Sequence, residues 1–404
     1  MKKQVAILGG GTGNPEELTG SVRRFLADAE EVYAPRRLAE LYSDIRSDMI
    51  IAGVTETPER VLASEKEKIA VLVTGDPGFF SAAKSLREKL AVQTDVTVCC
   101  GVSSLQYLCA KVGVGYERVK IVSLHGRENF LLGAVSYHPL VFVLTGGTHR
   151  ADEICAGLEK AGLGHLSVTA GENLSMENER ILTDTASRLA QMPFGDLAVL
   201  LIRNPDFVSS WVPLRDEDFI RGKIPMTKEE IRWISAAALC PAPTDVIYDV
   251  GAGTGSLSLE LGRRACDGAV YAIEQKEEGI SLIEENRRKL GGYNVLPVAG
   301  TAPGALTGLP KPDKAFIGGS SGNLREIVAL LKEKNPFVRI VVNAITLETL
   351  NESVSCMEEA GFSTEISCVN SARSKKVGGY HMMTANNPVY VITGIPAGEG
   401  EKHQ

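Results

Sequence analysis

Asp249-Val250-Gly251-Ala252-Gly253-Thr254-Gly255 stands between an apolar run, Val246–Val250, and a helix-like segment, and Glu274 closes the next apolar run about twenty residues later. A strand, a glycine turn, a helix and an acidic strand end are the parts with which an open α/β sheet holds a nucleoside cofactor. The glycine spacing separates one cofactor from another. A pyrophosphate is met by Gly-x-Gly-x-x-Gly opening onto a helix N-terminus, whereas Gly-x-Gly-x-Gly lets bare backbone lie against an uncharged nucleoside with an amino-acid tail. The pattern therefore favours S-adenosylmethionine over NAD, with a purely structural glycine turn as the bland alternative.

The elements needed to position these residues are written around them. Apolar runs at Val246–Val250, Ala269–Ile273, Val295–Val298, Lys314–Ile317, Val338–Val342, Thr364–Val369 and Val389–Thr393 predict strands, and helical periodicity predicts helices over Ser256–Arg264, Gly279–Leu290, Asn323–Glu333 and Leu347–Ala360. Alternation of this kind implies a mostly parallel, doubly wound sheet. The last two strands have only Asn370–Lys376 and a glycine-rich loop between them, so they are expected to pair antiparallel at one edge.

The first half carries two other glycine turns. Val5–Leu8 runs into Gly9-Gly10-Gly11-Thr12-Gly13-Asn14-Pro15, and a second apolar run ends in Gly75-Asp76-Pro77-Gly78-Phe79-Phe80-Ser81. Neither holds the Gly-Lys-Ser/Thr of a phosphate-binding loop. Two strand-end loops of small residues facing one crevice make a ligand cleft floored by backbone, although turns of this composition also serve as plain structure.

A chain of 404 residues that is 44% hydrophobic exceeds one ordinary core and predicts two domains of about 200 residues. The seam falls where Asn204-Pro205, Ser209-Ser210, Pro213 and Arg215–Asp218 interrupt the pattern, which sets the expected domains at 1–220 and 221–404. No apolar run reaches the length of about 20 residues that spans a bilayer, and the N-terminus turns to glycine too early for a signal peptide, so a cytoplasmic protein without membrane contact is expected. Eight cysteines without a Cys-x-x-Cys pair or a histidine at ligand spacing read as reduced, mostly buried thiols, and no metal is expected. A net charge of −7 argues against nucleic acid as partner.

Gly9-x-Gly11-x-Gly13-x-Pro15 with Leu18-Thr19, then Gly75-Asp76-Pro77-x-Phe79-Phe80-Ser81, then Gly101-Val102-Ser103-Ser104, resemble the successive signatures of the tetrapyrrole (corrin and porphyrin) methylase family, the class III methyltransferases. Within it, Ser123–Arg127, Glu172-Asn173-Leu174, Glu179-Arg180-Ile181 and Leu197–Asn204 resemble the branch that methylates a precorrin at C5. Pro225-Met226-Thr227-Lys228, the Asp249–Gly255 loop, Glu274, Gly300–Pro303 and Ile317–Ser320 resemble the decarboxylating C15-methyltransferases of the same pathway, with a Rossmann-like class I methyltransferase fold and a seven-stranded, mostly parallel sheet. Together the halves resemble the fused, bifunctional C5,15 enzymes of cobalamin biosynthesis.

The resemblance implies two S-adenosylmethionine sites, one per domain. Gly9, Gly11, Gly75, Asp76, Phe79, Ser103 and Ser104 would line the first. In the second, Gly251, Gly253, Thr254 and Gly255 would meet the methionine part, Glu274 the ribose hydroxyls and Thr301-Ala302 the adenine, with Thr227 beside them. It implies a precorrin or cobalt-precorrin substrate, which gains methyl groups at C5 and C15 and loses the carboxylate of its C12 acetate. Ser320 and Ser321, in Gly318-Gly319-Ser320-Ser321-Gly322, offer amides and hydroxyls to that carboxylate, and His125 with Arg127 would position the macrocycle. Arg36-Arg37 and Arg373 with Lys375-Lys376 are further cations for a polycarboxylate, and Tyr380–Met383 is either a lid or the hairpin loop before the last strand. A homo-oligomer is expected on the same grounds.

Two departures from the family pattern stand out. Leu144-Thr145-Gly146-Gly147-Thr148 occupies the place of a Thr-Asp step, and Thr301 that of an acidic residue facing the adenine amino group. The rival readings are an RNA methyltransferase with an N-terminal substrate-binding domain, which requires a basic face, and a tetrapyrrole carrier with vestigial cofactor loops.

Overall fold

The computed structural model describes residues 2–124, 131–147 and 149–398. Short β-branched and aliphatic runs bounded by Gly, Pro and Asp form its strands. Strands β1 (Gln4–Gly9), β2 (Glu31–Ala34), β3 (Ile50–Ile51), β4 (Lys68–Val73) and β5 (Asp95–Cys99) make a parallel sheet in the order β3-β2-β4-β1-β5. A parallel sheet needs both faces covered. Alternate residues of β1 meet that need, with Ala6 and Leu8 packing against Val22, Leu26 and Leu38, and Val5 and Ile7 against Leu86 and Leu90.

A second sheet follows, formed by β6 (Lys120–Ser123), β7 (Leu140–Leu144), β8 (Ser167–Glu172), β9 (Arg180–Thr185) and β10 (Ala198–Arg203) in the order β6-β7-β10-β8-β9. Only β6 and β7 are parallel in it.

The remaining large sheet contains β11 (Val246–Val250), β12 (Ala269–Glu274), β13 (Val295–Ala299), β14 (Lys314–Ile317), β15 (Arg339–Ala344), β16 (Ser363–Val369) and, after a separate ribbon of β17 (Ala372–Val377) with β18 (Tyr380–Ala385), the final strand β19 (Val389–Ile395). Its order is β13-β12-β11-β14-β15-β19-β16. It is parallel as far as β15, and β19 runs antiparallel to both β15 and β16. Each strand and helix expected between 246 and 395 forms, with ends displaced by no more than two residues. The ribbon was not anticipated: Tyr380–Met383 lies in β18, paired with β17 across a turn at Gly378-Gly379.

The chain divides into two units, Met1–Arg127 with Leu140–Arg203, and Glu128–Pro139 with Asn204–Gln404. The seam therefore belongs wholly to the second unit, not only beyond residue 220. Leu214 and Phe219 enter its core, and the fully buried Arg232 binds Asp216 at 2.6 Å and the carbonyls of Leu214 and Thr227 at 2.9 and 2.7 Å. The helix Leu131–Tyr137 belongs there too, because Gly133 lies against the Cys266 carbonyl and the Tyr137 hydroxyl donates to Asn294 at 3.0 Å.

Arg373, expected as a free cation, is already neutralised. Its guanidinium meets Glu230 and Glu229 at 2.6 Å each and Asp216 at 3.6 Å, which ties the ribbon to the helix Glu229–Leu239. All eight cysteines are free thiols, but only Cys99, Cys109, Cys155 and Cys356 are buried. Among the described residues no helix is long and apolar enough to cross a membrane, and no cluster of three metal-ligating side chains occurs.

Candidate functional sites

In the first unit the ends of β1, β4 and β5 converge backbone to backbone. A Cβ on Gly9 would lie 2.5 Å from the Gly101 nitrogen, and one on Gly101 2.5 Å from the Gly75 carbonyl oxygen. Gly11 and Gly75, both left-handed at φ +64° and +68°, exchange hydrogen bonds of 3.2 and 2.8 Å. Side chains are excluded from this junction. Asp76 fastens it, because its carboxylate accepts from the Gly78 and Gly101 N–H groups at 2.7 and 3.1 Å.

Over the junction lies a cavity of about 780 Å³, within the range of small-molecule sites. Gly11, Gly75, Phe79, Ser103 and Ser104 line it, whereas Gly9 and Asp76 are not part of the lining. Ser103 caps the helix Ser104–Lys111 in a capping box with Gln106. The N-terminus of that helix, at Ser103 and Ser104, borders the cavity. Phe79 packs edge-on against Phe80, with ring centres 5.3 Å apart, and Phe80 holds a left-handed φ of +48°. In place of the Thr-Asp step, the Thr145 hydroxyl donates to the Ala198 carbonyl at 2.6 Å, so a polar side chain there serves the sheet. Sequence reasoning missed the clasp on the first glycine loop, where Thr12 donates to Ser175 at 2.7 Å; Ser175 is left-handed at φ +65°.

In the second unit Gly251, Gly253 and Gly255 are all left-handed, at φ +76°, +58° and +74°. A Cβ on Gly251 would lie 2.8 Å from the Gly319 nitrogen and oxygen, so the Gly251–Gly255 loop and the Gly318–Gly322 loop touch through backbone. The buried Glu274 carboxylate accepts from the Gly253 and Lys276 N–H groups at 2.9 Å each. Beneath the loop, Asp249 is fully buried beside Ser258, whose hydroxyl donates to it at 2.5 Å. Burial pushes the Asp249 carboxyl up to about 7, with the nearby Glu274 charge adding to the rise. The Thr254 hydroxyl is buried with no hydrogen-bond partner among the described residues, an orphan inside the glycine loop.

Thr227 belongs to the segment that passes Gly253, since Ile224 and the Pro225 carbonyl stand 3.4 Å from where a Gly253 Cβ would be. Ala302 is buried and Thr301 exposed. Gln275 joins the two ends of this site: it accepts from Thr301 at 3.4 Å and donates to Ser321 at 3.1 Å. Its position directly after Glu274 was the available sequence signal. Ser321 is held left-handed at φ +52°, and the Ser320 carbonyl accepts from Asn323 at 3.0 Å. His125 and Arg127 lie outside the described residues.

Comparison with known proteins finds matches to both halves. The family model of tetrapyrrole (corrin/porphyrin) methylases matches residues 4–190, and that of a precorrin methyltransferase domain matches 218–394. The chain is similar to a precorrin-6Y C(5,15)-methyltransferase [decarboxylating] of Sinorhizobium sp., with 27% identity over 96% of this chain and 95% of the relative. It is 40% identical over 185 residues to a probable cobalt-precorrin-6B C(15)-methyltransferase (decarboxylating) of Methanothermobacter thermautotrophicus, covering 45% of this chain and 95% of that one. Among solved structures, a precorrin-6Y C5,15-methyltransferase of Geobacter metallireducens aligns with 36% identity over 46% of this chain and 97% of its own, at a TM-score of 0.44.

Proposed function

The chain belongs to the decarboxylating precorrin methyltransferases of cobalamin biosynthesis, and from that premise we propose that each of its glycine sites serves one of two methylations, C5 in the first unit and C15 in the second. The enzyme methylates a precorrin or cobalt-precorrin at both carbons and removes carbon dioxide from the C12 acetate. The observation that carries the division of labour is the pair of side-chain-free cradles, one per unit, each at the carboxyl ends of parallel strands, where open α/β sheets take their ligands. The second unit is read as a class I methyltransferase domain, the division of roles following the two units, which part at Arg203/Asn204, and not a boundary at 220.

The residues present fit S-adenosylmethionine. Bare backbone at Gly251 and Gly253, the orphaned Thr254 hydroxyl and the oriented Glu274 carboxylate suit a nucleoside with an amino-acid tail. In the first unit Gly11, Gly75, Phe79, Ser103 and Ser104 are the corresponding wall, with Gly9 and Asp76 holding its shape. When bound, this group supplies a methyl already activated by the sulfonium charge. The protein's work is then alignment and exclusion of water, which asks little of acids or bases. Glu274, fixed by two backbone N–H groups, would accept from the ribose hydroxyls, and Thr301-Ala302 would border the adenine.

Decarboxylation needs an electron sink, which the conjugated macrocycle provides, and a proton for the methyl left behind. Ser320 and Ser321 and the amides of their loop are the groups that would hold the departing carboxylate, and Gln275 links that loop to Thr301. The family assignment supports the corrin substrate and gives the RNA alternative no support. A homo-oligomer remains part of the proposal, to be read by light scattering.

The test is incubation of the full chain with precorrin-6B or its cobalt form and labelled S-adenosylmethionine, followed by product mass. Two methyls gained with carbon dioxide lost is the expected result. An unchanged mass despite measurable cofactor binding would overturn the proposal.

A further inference from the structure

Two residues lining the first unit's cavity are charged, Arg37 and Asp196. The two adjacent arginines differ sharply. Arg36 is exposed and reaches Glu40 at 3.7 Å, whereas the Arg37 guanidinium has no ion pair or hydrogen bond among the described residues. Burial disfavours its charged form, and the nearby Tyr42 offsets this only in part. Its helix, Arg36–Leu41, gives no relief: the first turn contains no acid and presents the positive end of the backbone dipoles. An arginine that is partly desolvated, unpaired and set against a helix dipole is unfavourable unless an anion joins it.

The same helix is anchored to the cofactor loop. Tyr42, which ends it, is fully buried, and its hydroxyl donates to the Gly10 carbonyl. Arg37 follows the carboxyl end of β2, beside Tyr33, Ala34 and Pro35, on the rim where the Gly11 and Gly75 turns also lie. Its position relative to the methyl-transfer end of the cavity is thus preset by backbone packing.

We propose that Arg37 is a carboxylate-binding residue of the first unit, taking one acidic side chain of the macrocycle and thereby selecting which ring carbon faces the methyl donor. This rests on the reading of that cavity as the C5 site. A planar guanidinium can grip a carboxylate through two parallel N–H···O bonds, which fixes orientation as well as position. Val54, Val71, Phe79 and Phe80 line the same cavity, and apolar surface of this kind would strengthen such a pair once a bound macrocycle displaces water.

The test uses Arg37→Gln and Arg37→Lys in the full chain, with C5 and C15 products measured separately by mass. Arg37→Gln is expected to raise the macrocycle KM for C5 methylation about 10- to 100-fold, leave the first unit's affinity for S-adenosylmethionine unchanged and spare C15 methylation. Arg37→Lys restores part of the loss. A substrate with its carboxylates esterified sharpens the assignment, because it should weaken the wild type by a larger factor than it weakens Arg37→Gln. An unchanged KM in both variants, or a fall in cofactor affinity with KM unaltered, overturns the proposal; the second result would hand Arg37 to the methionine carboxylate of the cofactor. Absence of any C5 product from the wild type instead overturns the reading of the cavity itself.

Discussion

On the proposed assignment the two units solve one problem, bringing bare backbone against a ligand, by different means. In the first, three loops from separate strands meet, so that neighbouring backbone leaves no room for a side chain at Gly9 and Gly101, while Gly11 and Gly75 are held by left-handed dihedrals in open space. In the second, a single loop turns left-handed at Gly251, Gly253 and Gly255, so the requirement is imposed mainly by the chain's own dihedral angles. The carboxylates differ in the same sense. Asp76 joins two loops, while Glu274 steadies the one loop it faces. A convergent site is sensitive to the packing of the whole sheet, and a single-loop site to local conformation.

The strongest way to break this comparison is to overfill each cradle in turn. Gly101→Val places a side chain where a Cβ is already 2.5 Å from the Gly75 carbonyl and 2.7 Å from that of Gly9, and C5 methylation is expected to fall by more than about 100-fold while C15 methylation persists. Gly251→Val does the reverse, removing C15 methylation and decarboxylation and sparing C5, because both the +76° dihedral and the Gly319 backbone oppose it. Product masses from the two variants decide the matter. Loss of both methylations from either substitution would show that the units do not act separately.

The contrast also explains what could be read from sequence. In the second unit the strands and helices alternate locally, so apolar runs and helical periodicity located Ser256–Arg264 and Lys314–Ile317 without error. The glycine loops were legible for the same reason, since left-handed dihedrals demand particular residues. Features made by distant partners were not. The helix Leu131–Tyr137 joins the second unit through Cys266 and Asn294, residues more than a hundred positions away, and nothing in its own sequence announces them. Arg373 read as a free cation because Asp216, Glu229 and Glu230 are equally remote. The ribbon of β17 and β18 escaped notice because Ala372–Val377 and Tyr380–Ala385 are exposed and lack an apolar face.

A smaller effect tests the buried charge under the second loop, for which the first unit's junction shows no counterpart. Asp249 has its carboxyl raised from the usual 3.8 to about 7 by burial. For a group whose folded value is raised, stability is fully present below the unfolded value and is lost as pH rises through the folded one. The second unit should therefore lose at most about 4 kcal/mol between pH 4 and pH 8. Asp249→Asn keeps a neutral acceptor for Ser258 and should flatten that decline in a series of unfolding midpoints. An equally steep fall in the variant would place the titrating group elsewhere.

Asp76→Asn sharpens the comparison from the other side. An amide oxygen can replace one of the two acceptors used by Gly78 and Gly101, and its NH2 then faces a backbone N–H. The first unit's affinity for S-adenosylmethionine should fall about tenfold, through loop misplacement and not through a lost ligand contact. A matching drop in the unfolding midpoint distinguishes the two, because a residue that only touches the ligand would leave the unliganded protein as stable as before.

The smallest expected effect concerns Thr301, the position at which this chain carries a hydroxyl where its family resemblance implies an acid. Thr301 is exposed and makes one long hydrogen bond, 3.4 Å to Gln275, so replacing it disturbs little packing. Thr301→Asp would add a charge-assisted acceptor for the adenine amino group, but exposed charges are well screened and Glu274 lies close in sequence to Gln275. The affinity of the second unit for S-adenosylmethionine should rise by no more than about fivefold, with the first unit unchanged, as read by titration calorimetry on the Gly101→Val background where only the second site remains. A fall in affinity would mean that repulsion from Glu274 outweighs the new contact, and that the hydroxyl is the better residue beside this particular loop.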